Sequence, residues 1–583
     1  MTHPSAPADA RERTAHAREV ATRQDDTATG ALLLAARNRA FSRALLGMDA
    51  PQVTVETHLP GGLPGFTLVG LPEAAVREAR DRVRSAIQTC GLDFPSGRVV
   101  VNLAPADLAK EGGRFDLAIA ISILAATGQV PHERVAAFEF LGELSLFGEL
   151  RPVRGSLCAA LALGTEGSAR RLVIPGPNRA EAALSRDGRL LPATHLNAVV
   201  SLLRAEHDPA GVASFVSGHD RDPAVARDDD HDVRARAALS DVVGQAAAKR
   251  ALILGAAGGH HILMVGPPGT GKTMLAQRLS ALLPRLSDDD ALAVAAVYSA
   301  AGLIPPASGQ PPFREPHHSA STVAIAGGGT HAMPGEISLA HGGVLFLDEL
   351  PHFKPSVLDL LREPLESRSI SLARARYRTR FPARFQLVAA MNPCPAGRVC
   401  APPACRCTVE SVRRYQARVS GPLLDRIDLH VAVPALPVAR LLEPGGANPA
   451  QVSAGQVSAD EARADGARAD RGNTGPLAHW VPGLDAIGPA RARQLARQGM
   501  LNGELSGPAL RAVCALPFGS AGLFARATER FNLSARSTHR VLRTARTIAD
   551  LAGTEGIEEP HLMEALGFRG LEWERGLGQG SGA

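Results

Sequence analysis

The sequence predicts an α/β protein of several domains: an N-terminal α/β domain, a central domain whose parallel sheet carries a phosphate-binding loop, and a helical C-terminal domain. Three observations carry that prediction. In His260–Leu279 (HHILMVGPPGTGKTMLAQRL) an apolar run, Ile262 to Val265, breaks into a Gly-rich turn and resumes with helical spacing. Continuous rather than alternating hydrophobicity marks a strand buried on both faces, as in parallel sheets. A second such run, Gly343–Leu347, ends in Asp348-Glu349, and beyond residue 480 the patterns read as helices.

Size and composition bound the answer. A chain of 583 residues holds three or four domains at roughly 150 residues each. Apolar content of 45% supports sizeable cores, yet no uninterrupted apolar stretch approaches the ~20 residues of a membrane span. Residues 31–36 (ALLLAA) are too short for a secretory signal. Net charge is +5, so any nucleic-acid contact must come from local patches rather than from the total. Lysine occurs only at 110, 249, 272 and 354, an arginine bias that fits a GC-rich genome. Four of the seven cysteines crowd between 394 and 407, which is no distributed disulfide framework and fits a reducing, cytoplasmic setting.

Taken in order, residues 1–38 are small, polar and charged without periodicity and are expected to be disordered. Alternation in Val53-Thr54-Val55-Glu56-Thr57 predicts a half-buried strand. A helix follows over Glu73–Cys90, then a strand at Val99–Val101 and an apolar helix over Phe115–Ala126, making a domain of residues 39–204. Residues 205–238 read as a linker, and the run Asp228 to Asp232 within it as a solvated acidic stretch rather than a metal site. The central domain spans 239–440, with a third strand, Phe385–Met391, ending at Asn392. Residues 441–479 form a low-complexity insertion, 480–575 a helical domain, and 576–583 a disordered tail.

The chemistry gathers around the first strand. Gly266, Pro267, Pro268, Gly269, Thr270, Gly271, Lys272 and Thr273 form G-x-x-x-x-G-K-T between a strand and a helix, the phosphate-binding loop. Glycines let backbone N–H groups turn inward around a phosphate, and the helix N-terminus adds its positive end. Lys272 is expected on the β/γ-phosphates and Thr273 on Mg²⁺. A buried strand beside that loop should deliver Asp348 to the same Mg²⁺ and Glu349 to the attacking water. The chain is therefore expected to bind and hydrolyse a nucleoside triphosphate with Mg²⁺.

Longer phrases then resemble a family. REPHHSAS (314–321), PGEISLAHGGVLFLDELP (334–351), AAMNPCPAG (389–397), SGPLLDRIDLHV (420–431) and LSARSTHRVLRTARTIADL (533–551) are similar to those of the YifB/ComM family of magnesium-chelatase-like AAA+ ATPases. The resemblance implies a central AAA+ core with a C-terminal helical lid. It places Val243, in Asp241-Val242-Val243-Gly244-Gln245, against the adenine and makes Asn392 a polar sensor. It also makes Arg426 an arginine finger acting on a neighbouring subunit, and Arg536 a second sensor entering the site from the lid. A homohexamer with ATP sites between subunits is implied, driving DNA branch migration in recombination or natural transformation. KEGGRFD (110–116) and GELSLFGELRPVRGSLCAAL (142–161) resemble Lon-type protease domains (the ribosomal S5 domain 2-like fold). Where those proteases carry a serine and a lysine this chain has Arg114 and Cys158, so a protease-like fold without its chemistry is expected.

Three features stay open at this level. The run ISLARARYRTRF from Ile370 carries Arg374, Arg376, Arg378 and Arg380, which an extended strand would project to one face. Related helicases carry a pore hairpin here, so the stripe suits a nucleic-acid backbone, and a solvated hairpin face is the alternative. Cys394, Cys400, Cys405 and Cys407 can wrap a tetrahedral Zn²⁺ or remain reduced structural thiols. The adjacent His317 and His318 are weak as a metal pair, since neighbours in an extended segment point apart. The competing readings are a chelatase-like motor for metal insertion and a protein-remodelling ATPase. No partner domain for the first is on this chain, and Arg114 and Cys158 speak against proteolysis in the second.

Overall fold

The computed structural model describes residues 38–205, 239–437 and 483–569, apart from 71–72, 109, 111, 168, 240–241, 308, 330–331, 375–376, 398–406 and 532. The expected N-terminal tail before residue 38, linker residues 206–238 with their Asp228–Asp232 run, the 441–479 insertion and the 576–583 tail lie outside the described residues.

The N-terminal domain is a seven-stranded mixed sheet. Its strands are β1 (Arg39–Arg43), β2 (Gln52–His58), β3 (Gly65–Val69), β4 (Arg98–Ala104), β5 (Phe138–Phe140), β6 (Arg171–Pro175) and β7 (Leu190–Ala193), in the order β3-β4-β2-β1-β5-β6-β7. β2 runs antiparallel to both of its neighbours, and the other pairs are parallel. Alternate residues of β2 are buried, Val53 and Val55 facing the core, as the alternation predicts. Helix α1 (Glu73–Thr89) flanks helix α2 (Asp116–Ala126), whose first ten residues are all buried. α2 is thus a core helix, apolar all round.

The central domain supplies the site. Helix α3 (Ala246–Gly258) precedes strand β8 (Ile262–Val265), followed by α4 (Lys272–Leu282), α5 (Asp288–Ala301), β9 (Phe313–Arg314), β10 (Val344–Leu347), the hairpin β11 (Ser369–Arg374) and β12 (Tyr377–Pro382), β13 (Gln386–Met391) and β14 (Leu429–Ala432). The main sheet has the order β9-β10-β13-β8-β14, every pair parallel. β8, β10 and β13 are buried at every residue, which is why they read as unbroken apolar runs. Parallel strands place their C-terminal ends along one edge, so the loops after β8, β10 and β13 meet there, where α/β sheets hold ligands.

The C-terminal helices pack at the other edge. The longest, α6 (Ala535–Ala552), lies against α3, and Thr547 Oγ1 meets His260 Nε2 at 2.7 Å just ahead of β8. Inside this lid the buried Asp550 carboxylate takes two bonds from Arg497 (2.8 and 2.9 Å), one from Arg546 (2.8 Å) and one from Asn502 (2.7 Å). Burial opposes its charge, but these donors hold its pKa below the usual carboxylate range.

The two α/β domains dock through α7 (Ser156–Thr165) on α5. Leu157, Cys158 and Ala160 share one apolar cluster with Ala295, Ala296 and Ala300. Gly155 N donates to Ser299 O at 2.9 Å. A second contact seats Gly47 of the N-terminal domain on the β11–β12 hairpin. Gly47 has φ +66°, and a Cβ there would stand 1.9 Å from Thr379 Cγ2.

Candidate functional site: a phosphate loop at the carboxyl edge of a parallel sheet

The turn between β8 and α4 needs its glycines. Gly269 (φ 78°) and Gly271 (φ 84°) adopt left-handed conformations open to glycine at no steric cost. Gly266 abuts β14: a Cβ would lie 2.1 Å from Val433 O, while one on Gly269 would meet nothing within 4 Å. The loop is therefore pressed against the sheet at its base and open above, as a phosphate cradle must be.

Lys272 opens α4 and folds back over the loop, donating to Gly266 O at 2.9 Å, Pro267 O at 2.8 Å and Asn392 Oδ1 at 3.3 Å. Burial lowers its pKa, and the nearby Asp348 and Glu349 carboxylates work the other way. Thr270 Oγ1 donates to Pro267 O at 3.0 Å, and Thr273 Oγ1 donates to Asp348 Oδ2 at 3.1 Å. Two oxygens that distance apart match neighbouring corners of an octahedron with ligands at about 2.1 Å, so these two side chains fit Mg²⁺. Asp348 Oδ1 accepts from Glu349 N at 2.8 Å. Val243 is 46% exposed, in a segment whose next two residues pack against the chain after β14. Gln245 Nε2 donates to Pro434 O at 2.8 Å, which sets that segment beside the loop. Every residue expected to hold the nucleotide or its metal lies at this one edge.

The two arginines lie elsewhere, Arg426 expected to act on a neighbouring subunit and Arg536 expected to enter the site from the lid. Asp428 N donates to His261 O at 3.2 Å, which fixes the segment before β14 at the amino edge of the sheet, opposite the phosphate loop. Arg426 lies there, 5% exposed, paired with Glu366 at 2.5 Å and donating to Pro422 O at 2.6 Å. It is not a freely presented finger in this chain. A glutamate sixty residues away in sequence has claimed its charge, which no local motif reveals. Arg536 is exposed in the first turn of α6, and the next residue, Ser537, donates to Asp425 Oδ1 at 3.1 Å. The lid thus carries Arg536 to the amino edge beside Arg426 and away from its own phosphate loop. Entry into the same chain's site is corrected by how α6 packs. Arg540 anchors that packing at 2.7 Å from the buried Asp428, whose pKa lies well below the ordinary value despite burial, because Arg540, His260 and His261 surround it.

The arginine stripe is also corrected. The hairpin turns between Arg374 and Tyr377, so the four residues do not run along one strand. Arg378 and Arg380 are exposed and pair with Ala373 and Ser371 on one face, while Thr379 between them is buried. Arg374 pairs with Tyr377 in the register, and Arg376 lies outside the described residues. Of the cysteines, Cys394 and Cys407 approach at 3.6 Å between sulfurs, and Cys400 and Cys405 lie outside the described residues. Among the described residues no group of three or more His, Cys, Asp or Glu is placed to hold a metal ion. His317 and His318 do not point apart: a turn bonding Ala320 N to His317 O stacks their rings at 4.1 Å.

Arg114 and Cys158 are both buried at the joint with the central domain. Cys158 Sγ faces Ala296 O of α5 at 3.5 Å, and burial pushes its thiol up to about 12. Burial lowers the Arg114 guanidinium to about 10, and among the described residues its Nε and Nη2 have no hydrogen-bond partner. Neither offers a reachable nucleophile.

A parallel sheet with a glycine cradle, an invading lysine, a Thr–Asp metal pair and a polar residue at the end of the adjacent strand defines an ATPase of the AAA+ class. Comparison with known proteins narrows this. Residues 238–441 match the family model described as magnesium chelatase, subunit ChlI, residues 55–178 that of subunit ChlI of Mg-chelatase, and residues 485–569 that of its C-terminal region. The chain is 44% identical over 538 residues to competence protein ComM of Haemophilus influenzae, covering 91% of this chain and 97% of that protein. It is likewise 44% identical to the uncharacterized protein YifB of Escherichia coli, over 91% of this chain and 96% of that one. A shorter match, 30% identical over 140 residues, is to the minichromosome maintenance protein MCM of Saccharolobus solfataricus, covering 23% of this chain and 17% of that protein. The chain belongs to the YifB/ComM family of magnesium-chelatase-like AAA+ ATPases. Membership brings ATP and Mg²⁺ as its cofactors. No helix among the described residues is long and apolar enough to cross a membrane.

Proposed function

We propose that this chain is a cytoplasmic, ring-forming motor, most simply a homohexamer, that spends ATP to move along or remodel DNA, as a helicase or branch-migration factor in recombination or transformation. The observation that carries this reading is the split of the ATP machinery between two edges of one sheet. Lys272, Thr273, Asp348, Glu349 and Asn392 stand at the carboxyl edge, and Arg426 and Arg536 at the amino edge. A monomer so built is incomplete. A ring brings the amino edge of one subunit to the phosphate loop of the next, where Arg426, once freed from Glu366, neutralises charge on the transferring phosphoryl group and Arg536 supports it. Within the site, Thr273 and Asp348 hold Mg²⁺, Lys272 exchanges its loop carbonyls for β/γ-phosphate oxygens, Asn392 orients the water and Glu349 draws its proton.

DNA enters through the exposed pair Arg378 and Arg380, two residues apart on one strand face. The relative named a competence protein supports the direction of this reading. The N-terminal domain acts as a brace, its protease-like site closed by α5. The four cysteines read as a zinc knot at the sensor loop, a reading supported within the described chain by the 3.6 Å approach of Cys394 and Cys407. The family models' chelatase description keeps metal insertion as the competing substrate class.

The test is the salt dependence of DNA binding. Replacing Arg378 and Arg380 with alanine should reduce the slope of log Kd against log salt by roughly one to two on single strands. An unchanged slope would take the hairpin off the DNA path.

A further inference from the structure

The turn that resembles a protease's nucleophile turn holds a charge that nothing described beside it answers. Arg114 lies in a single 3₁₀ turn, Gly113–Phe115, that runs straight into the core helix α2. Among the described residues four arginines are buried, and three hold a carboxylate: Arg43 on Glu139 at 2.5 Å, Arg426 on Glu366 at 2.5 Å and Arg546 on Asp550 at 2.8 Å. Arg114, 7% exposed, holds none among the described residues, and its Nε and Nη2 are left without partners there. The charge that acts on it is a second guanidinium, Arg154, and burial keeps the Cys158 thiol beside it neutral. Carboxylates of the same region are spent elsewhere. Glu181 accepts from Ser299 Oγ across the joint and from Asn178 Nδ2 at 3.1 Å, Asp116 accepts from Arg82 at 2.7 Å, and Glu143 faces Arg151 at 3.8 Å.

We propose that a small inorganic anion, chloride or phosphate, is held against Arg114 at the joint between the two α/β domains. A guanidinium stays protonated throughout the neutral range, so its charge is always present. Water satisfies donors but does not cancel a buried charge, and native proteins leave few buried polar groups unanswered. Nε and Nη2 lie side by side on one edge of the guanidinium, the fork that grips an oxyanion through two parallel bonds. One ligand therefore answers both orphaned donors. The inference stands on the joint and is independent of the ATPase reading.

The surroundings set the ligand's sign and size. Arg154 reaches from the N-terminal domain onto the central one: its Nη1 meets Met333 Sδ at 2.6 Å, and its stem covers Gly302, where a Cβ would lie 2.8 Å from Arg154 Cγ. Two residues on, Ser156 opens α7 with a buried Oγ that has no partner among the described residues. Two cations and an unspent hydroxyl favour an anion. The joint excludes anything long. Leu157 and Ala159 are fully buried, and Cys158 Sγ already faces Ala296 O at 3.5 Å, so an extended peptide has no room where a protease would bind one. An anion so placed ties the turn before α2 to the segment that crosses onto α5, and thereby helps to seat the N-terminal domain.

The experiment is a thermal melt of the full chain in sodium gluconate, chloride or phosphate at equal ionic strength. Every sample carries Lys272→Ala, so that phosphate at the ATP site does not contribute, and Arg114→Met is compared with that parent. With a Kd of about 1 mM, about 100 mM chloride or phosphate should raise the parent's Tm by roughly 5 °C over gluconate, which is too large for the joint. Arg114→Met, similar in length and uncharged, should move by less than about 1 °C, and in gluconate should melt at or above its parent because an unpaired charge is gone. Calorimetric titration of phosphate or chloride should detect binding in the parent that Arg114→Met lacks. Whether chloride, phosphate or both produce the shift identifies the anion. A parent indifferent to both anions, or an equal rise in the two chains, overturns the proposal. Should Arg114→Met not fold, Arg154→Met at its exposed position takes its place: affinity for the anion should fall roughly three-fold, and an unchanged affinity overturns the proposal.

Discussion

Removing the Lys272 ammonium should cost roughly two orders of magnitude in affinity for ATP while leaving the chain folded. In the nucleotide-free chain Lys272 satisfies its three donors on Gly266 O, Pro267 O and Asn392 Oδ1. Binding exchanges neutral acceptors, worth about 1 kcal/mol each, for phosphate oxygens, worth about 1.5–3 kcal/mol each. With two such bonds the net difference is about 1–4 kcal/mol, and its middle, about 2–3 kcal/mol, is roughly 30- to 160-fold in Kd. The same side chain contributes less to the empty fold. Pro267 O keeps its bond from Thr270 Oγ1, and the buried Gly266 O left without a donor costs about 1–3 kcal/mol. Calorimetric titration of Mg-ATP into Lys272→Ala measures the Kd, and a thermal melt without nucleotide checks the fold. At an ATP concentration of 100 Kd for the wild type, binding stabilises the wild type by about 2.7 kcal/mol and the weakened variant by only about 0.3–0.9 kcal/mol, so the wild-type melt should move up on adding ATP several times further than the variant's. A Kd within threefold of wild type, in a variant that melts normally, would refute the placement of the phosphates beneath Lys272.

Other perturbations probe the rest of the chain. His341 is buried, accepts from Arg384 N at 3.0 Å, and is pushed down to about 4 by burial, then by Arg384, against the pull of Asp290. Its folded pKa lies below the unfolded value near 6.5, so the unfolded chain takes up the proton first as pH falls, and stability is lost between about 6.5 and 4, by about 3 kcal/mol in all. His341→Asn should flatten the fall of Tm between pH 7.5 and 5, and an equally steep fall would contradict the assignment. Gly47→Val forces a branched side chain into a left-handed position and into Thr379. It should lower Tm and weaken DNA stimulation while the Kd for ATP stays within twofold; unchanged stimulation would show that the N-terminal domain does not set the hairpin.

What the sequence disclosed was local chemistry. The phosphate loop is legible because strand, glycines, lysine and helix are contiguous, and β8, β10 and β13 because burial on both faces leaves an unbroken apolar run. The N-terminal strand Gln52–His58 is legible by its alternation. Tertiary pairing is where legibility ends. Nothing around Arg426 announces Glu366, and nothing in the lid's helix announces that Ser537 and Arg540 will seat it on Asp425 and Asp428. The arginine stripe misled because alternation is blind to a hairpin turn placed inside it. Likewise His317-His318 was visible as a pair, but the turn that brings the two rings against each other depends on a bond from Ala320 and on a helix cap at Ser321.

The most direct test of the account is the ATPase rate at low salt with and without single-stranded DNA, using Glu349→Gln as the blank. Hydrolysis well above the blank and strongly stimulated by DNA is the predicted result, and would lead next to unwinding of forked junctions. Robust hydrolysis indifferent to DNA would contradict the DNA motor and move the weight to a metal-insertion or protein substrate.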